Sequence, residues 1–496
     1  MDISTTEAAR IEYEKQIKRL NEKLNIKIGP ANSFEYKKKG SRWFTGNIPF
    51  DILVNGGLKA GAFCEIYGNN DVGKSSLMLE IVQNQTEIYK KINPRILLID
   101  GERNYTEEVM ERYPINWSKV MLAEPDSIEE MFDIMLTLDF ELGYIDSIPS
   151  LVSQLAKNKD METAEMGVNA RQGGRGWSQT YELRSKGKVI VAINQLSATM
   201  NQYAPTTTNG GNKLKYVKNY AVELTKSVSK ANWIGKTKNA VGINYGGGGN
   251  STETSETPFA VPVTIRNKKT KFGSIYDDER ILYLRQRNDT TDEDWSMHNN
   301  KPGAFLDLVS ILSLAQSTPG IIGRPNTSRY ELYCPFTGNI IVEATGRRNF
   351  QEAILKSPEN YYKLVCACYM RTLDEEIIFT NYRTILEVAR YKTQFLVEHY
   401  RDVLGLTKEE SEKLMKEFEE YPEKMMEEYS LKKMYSTCPE KYLELRKKHG
   451  VKSYIWDRNK TEQELETQEK ELAKELKDIE KELNKKNKNE NKVEAV

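Results

Sequence analysis

The segment Gly68-Asn69-Asn70-Asp71-Val72-Gly73-Lys74-Ser75, followed by Ser76, carries the most specific chemistry in this sequence. Its spacing is that of a GxxxxGK[ST] loop, in which glycines let backbone N–H groups turn inward around the β- and γ-phosphates of a nucleotide. Lys74 supplies a point charge and the Ser75 hydroxyl an oxygen ligand for Mg²⁺. The loop follows the apolar run Cys64–Tyr67 and precedes a helical run over Leu77–Tyr89. Phosphates held there would meet a helix N-terminus, whose partial positive charge favours anions. ATP and Mg²⁺ are therefore the expected ligands.

Two acids complete the constellation. Asp146 closes the apolar run Leu142-Gly143-Tyr144-Ile145, and from a neighbouring strand it would hold Mg²⁺ through water. A strand-ending aspartate also serves simply to cap a following helix. Glu102 follows Leu98-Ile99-Asp100-Gly101, which puts a carboxylate at the carboxyl edge of a sheet, where ligands gather. It would orient an attacking water there, or else be merely solvated.

These groups need a sheet whose strands end together. From Gly46 to about Leu284, apolar β-rich runs alternate with helical stretches, which argues for a parallel sheet with crossover helices. Strands are expected at Cys64–Tyr67, Ile96–Asp100, Leu142–Asp146 and Val189–Asn194, and Ser127-Ile128-Glu129-Glu130 reads as a capping box for a helix over Met131–Leu138. At 496 residues the chain exceeds one ordinary core. The expected division is a helical arm and linker over 1–42, an α/β core over 43–290, a small α/β domain over 291–373 and a charged helical extension over 374–496. Apolar residues at Ile17, Leu20 and Leu24 shape the arm, Tyr245–Thr257 reads as a Gly/Ser/Thr-rich surface loop, and Leu465, Leu472, Leu476, Ile479 and Leu483 follow a short heptad spacing.

Composition excludes several classes. With 72 basic and 72 acidic residues the net charge is zero, so any nucleic-acid site must be local rather than a product of bulk charge. The longest apolar runs are strand-sized, far short of a membrane span. Five cysteines form no CxxC pair, which indicates neither a zinc site nor a disulfide framework. A bacterial cytoplasm, or that of a phage-infected host, is the expected location.

The order of motifs resembles bacterial RecA and its phage relatives from about Trp43 to Tyr369. The blocks that carry the likeness are Thr45-Gly-Asn-Ile-Pro-Phe-Asp51, Gly61–Leu77, Leu98–Glu102, Gly143–Leu151, Met166–Arg171, Ala192-Ile-Asn-Gln195 and Thr206–Lys215. The last two are the specific ones. The resemblance implies a RecA-like P-loop ATPase core with a mainly parallel twisted sheet. It implies that Gln195 senses the γ-phosphate and passes its presence to the following loop, and that Arg266 and Lys268 reach a neighbouring subunit's ATP, with Arg where the family has Lys.

Two DNA-binding loops would lie over Lys157–Glu165, with Met166 and Arg171 at its exit, and over Leu196–Gly211. Arg171 and Arg175 would add charge, Met200 and Tyr203 would wedge between bases or stack on them, and Gly210, Gly211 and Asn212 would offer groups to phosphates. Met200 and Tyr203 are equally suited to packing beneath a surface loop. The function implied is a DNA-dependent ATPase of recombination and repair that forms helical filaments on single-stranded DNA and pairs it with homologous double-stranded DNA. A ring-forming helicase-type ATPase and a non-hydrolysing DNA-coating protein are the alternatives. This sequence departs from the family pattern in three places: the adenine platform falls near Val109, with Tyr105 the nearest aromatic; Gly173, Gly174 and Gly176 crowd an expected helix; and the chain past Asp374 has no obvious counterpart.

Overall fold

The structure, a computed structural model, describes residues 15, 18–19, 42–154, 168–197, 207–227, 260–272, 278–285, 305, 307–318, 321–337 and 339–429. Residues 1–41 form one unit and 42–496 another. In the first, residues 15, 18 and 19 are helical, and the rest of the expected arm lies outside the described residues. So do Tyr245–Thr257, Lys157–Met166, Met200, Tyr203 and the heptad segment.

The second unit opens with β1 (Arg42–Trp43), α1 (Ile48–Leu53) and β2 (Leu58–Lys59), and continues into alternating strands and helices. These are β3 (Phe63–Gly68), α2 (Lys74–Ile88), β4 (Ile96–Asp100), α3 (Glu107–Arg112), β5 (Val120–Ala123), α4 (Ile128–Thr137), β6 (Leu142–Asp146), α5 (Val168–Ser185) and β7 (Val189–Ser197). Then come β8 (Thr207–Thr208), α6 (Gly211–Val217), β9 (Tyr220–Lys226), β10 (Ala260–Thr270) and β11 (Glu279–Arg285). One sheet gathers them in the order β11-β10-β9-β3-β7-β6-β4-β5, with β8 paired to β7. Every pairing from β9 to β5 is parallel, and β10 and β11 add an antiparallel flank.

The central strands are mostly apolar because both faces are covered, as parallel sheets require, with Glu65 of β3 and Asn194 of β7 buried among them. Ile66, Leu98, Tyr144 and Val191 pack with Leu77, Met78 and Ile81 of α2 on one face. Phe63, Leu97, Ile145 and Ile190 pack with Met131, Phe132 and Trp177 of α4 and α5 on the other. The capping box at α4 is half formed. Ser127 Oγ accepts from the Glu130 N–H at 3.2 Å, whereas the Glu130 carboxylate reaches past Ser127 to the Asp126 N–H at 2.7 Å, so the helix begins at Ile128.

The block Thr45–Asp51 acts as an anchor. Asn47 caps α1 by accepting from the Phe50 N–H, and the buried Asp51 carboxylate accepts from Thr45 N–H and hydroxyl, Gly46 N–H and Tyr369 hydroxyl. Burial nonetheless raises its pKa to about 6. Tyr369 belongs to the C-terminal half, where α7 (Asp307–Ser317), an antiparallel sheet of β12 (Ile322–Gly323), β13 (Arg329–Tyr333) and β14 (Ile340–Thr345), α8 (Arg347–Leu355) and α9 (Pro358–Thr372) share a second core. The chain past Asp374 enters that core. In α10 (Glu375–His399) Ile378, Ile385, Leu386 and Ala389 bury one face, while Tyr391 and Arg390 bond to Gln83 and the Glu87 carbonyl of α2. Phe418 of α12 (Lys408–Glu419) and Met425 of α13 (Tyr421–Glu428), which follow the short α11 (Arg401–Leu404), close it. No helix among the described residues is long and apolar enough to cross a membrane.

The three glycines of α5 do not break it; they bring it close to its neighbours. A Cβ on Gly176 would lie 1.9 Å from the Phe132 ring, which cannot swing away because it packs edge-on to Trp177, itself edge-on to Phe63. Gly176→Ala adds about 1 kcal/mol of helix propensity, but overpacking costs more, about 1–3 kcal/mol. Chemical denaturation should show the variant to be less stable, with partial recovery when Phe132 is also replaced by Leu.

Candidate functional site

The phosphate loop leaves β3 at Gly68 and enters α2 at Lys74. Gly73 caps the helix with φ +87°, and a Cβ there would meet Phe305 at 2.9 Å. Asp71 also turns left-handed, with φ +58°. The loop faces a cleft of about 570 Å³ lined by Asn70, Asp71, Gly73, Lys74, Ser75, Ser76, Glu102, Asp146, Ile193, Gln195, Lys226, Leu284 and Arg285. Lys74 curls back to donate to the carbonyls of Gly68 at 3.2 Å and Asn69 at 2.7 Å. Burial lowers its pKa, against the pull of Asp146, Glu102 and Asp71.

Strand order brings in the rest. Gln195 is level with Gly68 in the parallel pair β3–β7, and Asp100 is level with Asp146 in β4–β6. Asp146 therefore stands on the strand next but one to β3, with β7 between them. Its Oδ2 accepts from the Tyr105 hydroxyl at 2.9 Å. Its Oδ1 is buried without a hydrogen-bond partner, although the nearby Ser75 hydroxyl favours the charged form. Burial dominates and pushes the pKa of Asp146 up to about 6, aided by the charge of Glu102. Asp100 fixes the turn beyond β4 by accepting from the N–H groups of Glu102 and Tyr105. Glu102 in turn accepts from the Ser147 hydroxyl and from Asn104 at 2.8 Å. Tyr105 is thus buried as the partner of Asp146 and Val109 packs beside the core, so neither offers a free aromatic face to a base.

A bare carboxylate oxygen beside a loop serine is a donor set that fits a hard, oxygen-seeking cation such as Mg²⁺. Among the described residues no cluster of three His, Cys, Asp or Glu offers an alternative. Lys226 and Arg285, at the ends of β9 and β11, add two cations to the cleft that belong to no motif.

Arg266 and Lys268 do not line the cleft. They lie two residues apart on β10, and Arg266 stands opposite Glu223 of β9 and Glu279 of β11. It donates to Glu279 Oε2 at 2.5 and 3.2 Å. Among the DNA-contact candidates, Arg171 and Arg175 fall on α5, Arg175 exposed, and Gly210, Gly211 and Asn212 sit at the start of α6. The two helices meet where Gly174 faces Lys213.

A phosphate loop between a central strand and its helix, on a parallel sheet whose neighbouring strands end in acids, defines a P-loop protein with a RecA-like core. Residues 19–245 match the RecA N-terminal domain. It is 27% identical over 241 residues to Protein RecA of Ureaplasma parvum serovar 3, covering 47% of this chain and 68% of that protein. It is 28% identical over 193 residues to Protein RecA of Syntrophus aciditrophicus, covering 37% and 55% respectively. A crystal structure of the RadB recombinase matches 48% of this chain and 93% of its own at 16% identity, with a TM-score of 0.33. The likeness to these RecA proteins supports a recombination-related ATPase.

The raised pKa of Asp146 sets a pH dependence. Its folded value lies above the usual 3.8, so the buried charge costs stability above about pH 6, and the cost is relieved as pH falls through that value. Cation binding has the opposite sign, because it needs the charged form. Calorimetric titration with Mg²⁺ and a non-hydrolysable ATP analogue should show affinity falling about tenfold per pH unit below about pH 6. Asp146→Asn should abolish that slope.

Proposed function

We propose that this chain is a DNA-dependent ATPase of homologous recombination and repair. It forms ATP-controlled filaments on single-stranded DNA and pairs that strand with a homologous duplex. The observation that carries the reading is the cleft in which Lys74, Ser75, Glu102, Asp146 and Gln195 converge from four strand ends. A site that only held nucleotide would need neither a water-orienting acid nor an amide aimed at the terminal phosphate.

In this reading the loop N–H groups and Lys74 bind the β- and γ-phosphates. Mg²⁺, held by Ser75 and Asp146, would neutralise phosphate charge when bound. Glu102, oriented by the Ser147 hydroxyl and Asn104, positions the attacking water as general base. Gln195 exchanges hydrogen-bond partners with the loss of the γ-phosphate and alters the segment that follows it. Arg266 and Lys268, which do not line their own subunit's cleft, would serve a neighbour's. The single strand would contact Arg171, Arg175, Gly210, Gly211 and Asn212 from the described residues, with Met166, Met200 and Tyr203 from the segments between.

The test is ATP turnover with and without single-stranded DNA, together with D-loop formation, for the parent and Lys74→Ala. Strong stimulation and joint molecules are expected from the parent, and neither from the variant. Stimulation without joint molecules would point to a helicase-type ATPase. Arg266→Ala should bind nucleotide as the parent does while turnover falls by about 10³-fold or more, as for loss of an arginine finger. Unchanged turnover would remove its cross-subunit role.

A further inference from the structure

Directly beneath the nucleotide cleft lies a buried polar cluster with no part in holding phosphate. Glu65, on β3 three residues before the phosphate loop, is fully buried. Its Oε2 pairs with Lys218, which follows α6, and its Oε1 accepts from Asn194 Nδ2 at 2.8 Å. The other Nδ2 proton of Asn194 goes to the Asn209 carbonyl at 2.7 Å. Asn194 Oδ1 accepts from the N–H of Gln195 at 2.9 Å and of Asn209 at 3.2 Å.

The amide of Asn194 thus uses both donors and both lone pairs. Its two bonds to Asn209 copy a strand pairing, one step before the main-chain pairs Leu196↔Thr208 and Ser197↔Thr207. Gln195, which leaves the sheet on the cleft side, has its N–H fixed by the same oxygen. A carboxylate on one side and two N–H groups on the other leave only one orientation for this amide. Asn194 is therefore a joint between the phosphate-loop strand, the γ-phosphate-facing glutamine and both ends of the segment 196–209.

We infer that Asn194, held by Glu65, is the positioning residue that couples the nucleotide cleft to the DNA-contacting segment, so that a change at Gln195 reaches Asn209 and the start of α6 through one side chain. The inference rests on the function proposed above. The ion pair with Lys218 holds Glu65 in place, but the coupling runs through the amide.

The experiment measures the affinity of the full chain for a labelled single-stranded oligonucleotide with a non-hydrolysable ATP analogue and with ADP. The parent should bind at least about tenfold more tightly with the analogue, within the usual range of coupling between sites. Asn194→Ala should bring that ratio close to one while its affinity for the analogue stays near the parent's. The pair Glu65→Gln with Lys218→Met, which removes both charges but leaves an acceptor for Asn194, should keep the ratio. An Asn194→Ala protein that retains the ratio overturns the inference alone. A parent with no ratio overturns the reading beneath it as well.

Should Asn194→Ala fail to fold, hydrogen exchange on the parent decides. The N–H groups of Gln195 and Asn209 share one acceptor, so replacing the analogue by ADP should change their protection together. Protection that changes at one and not the other overturns the inference.

Discussion

Parallel pairing of β3, β7, β6 and β4 brings four carboxyl ends to one edge, and every group in the cleft depends on that constraint. No single element holds the site. The phosphate loop ends β3, Gln195 ends the regular pairing of β7, Asp146 ends β6 and Glu102 follows β4. β9, parallel to β3, and β11, which runs the same way beyond the antiparallel β10, bring Lys226 and Arg285 to that edge from their own carboxyl ends. Register is the controlling variable, since a slip of one residue would turn Asn194 toward the cleft and Gln195 away from it.

Around this edge the protein buries several charges and gives each a partner. Glu65 has Lys218 and Asn194, and Asp51 has four donors around it. Lys392 of α10 pairs with Asp307 at 2.6 Å, close to Glu80, whose pKa burial and the charge of Asp307 raise to about 7. Asp146, like Glu80 and Asp307, keeps one buried oxygen bare, and of the three only Asp146 lines the cleft. In the cleft, a cation can offset the cost of that half-satisfied carboxylate.

Much of this was legible in the sequence where chemistry is encoded by local spacing. The phosphate loop, the four central strands and the acids at their ends follow from short motifs and apolar runs. Contacts fixed by register or packing were not. Nothing in the spacing of Asp278–Arg280 shows that Glu279 meets Arg266, and Lys226 and Arg285 are isolated cations until the sheet assembles. The α5 glycines are explained only by the Phe132 ring beside them. The stretch past Asp374 reads as helical, but the many apolar residues of Glu375–His399 do not say which neighbour they pack against, so its place in the second core emerges only from the fold.

Arg266 and Lys218 are both cations paired with glutamates, but the fold has made them different in kind. The Arg266–Glu279 pair is open to solvent, with side chains 39% and 55% exposed, and such a contact is worth under about 1 kcal/mol. The Lys218–Glu65 pair is almost fully enclosed, and removing one partner of a buried pair costs about 3–5 kcal/mol. An incoming anion can exchange with Glu279 at little expense, and added salt weakens the old contact and the new one alike. The enclosed lysine is in effect unavailable for such trade, which divides the basic residues of this face into an interchangeable set and a permanent one.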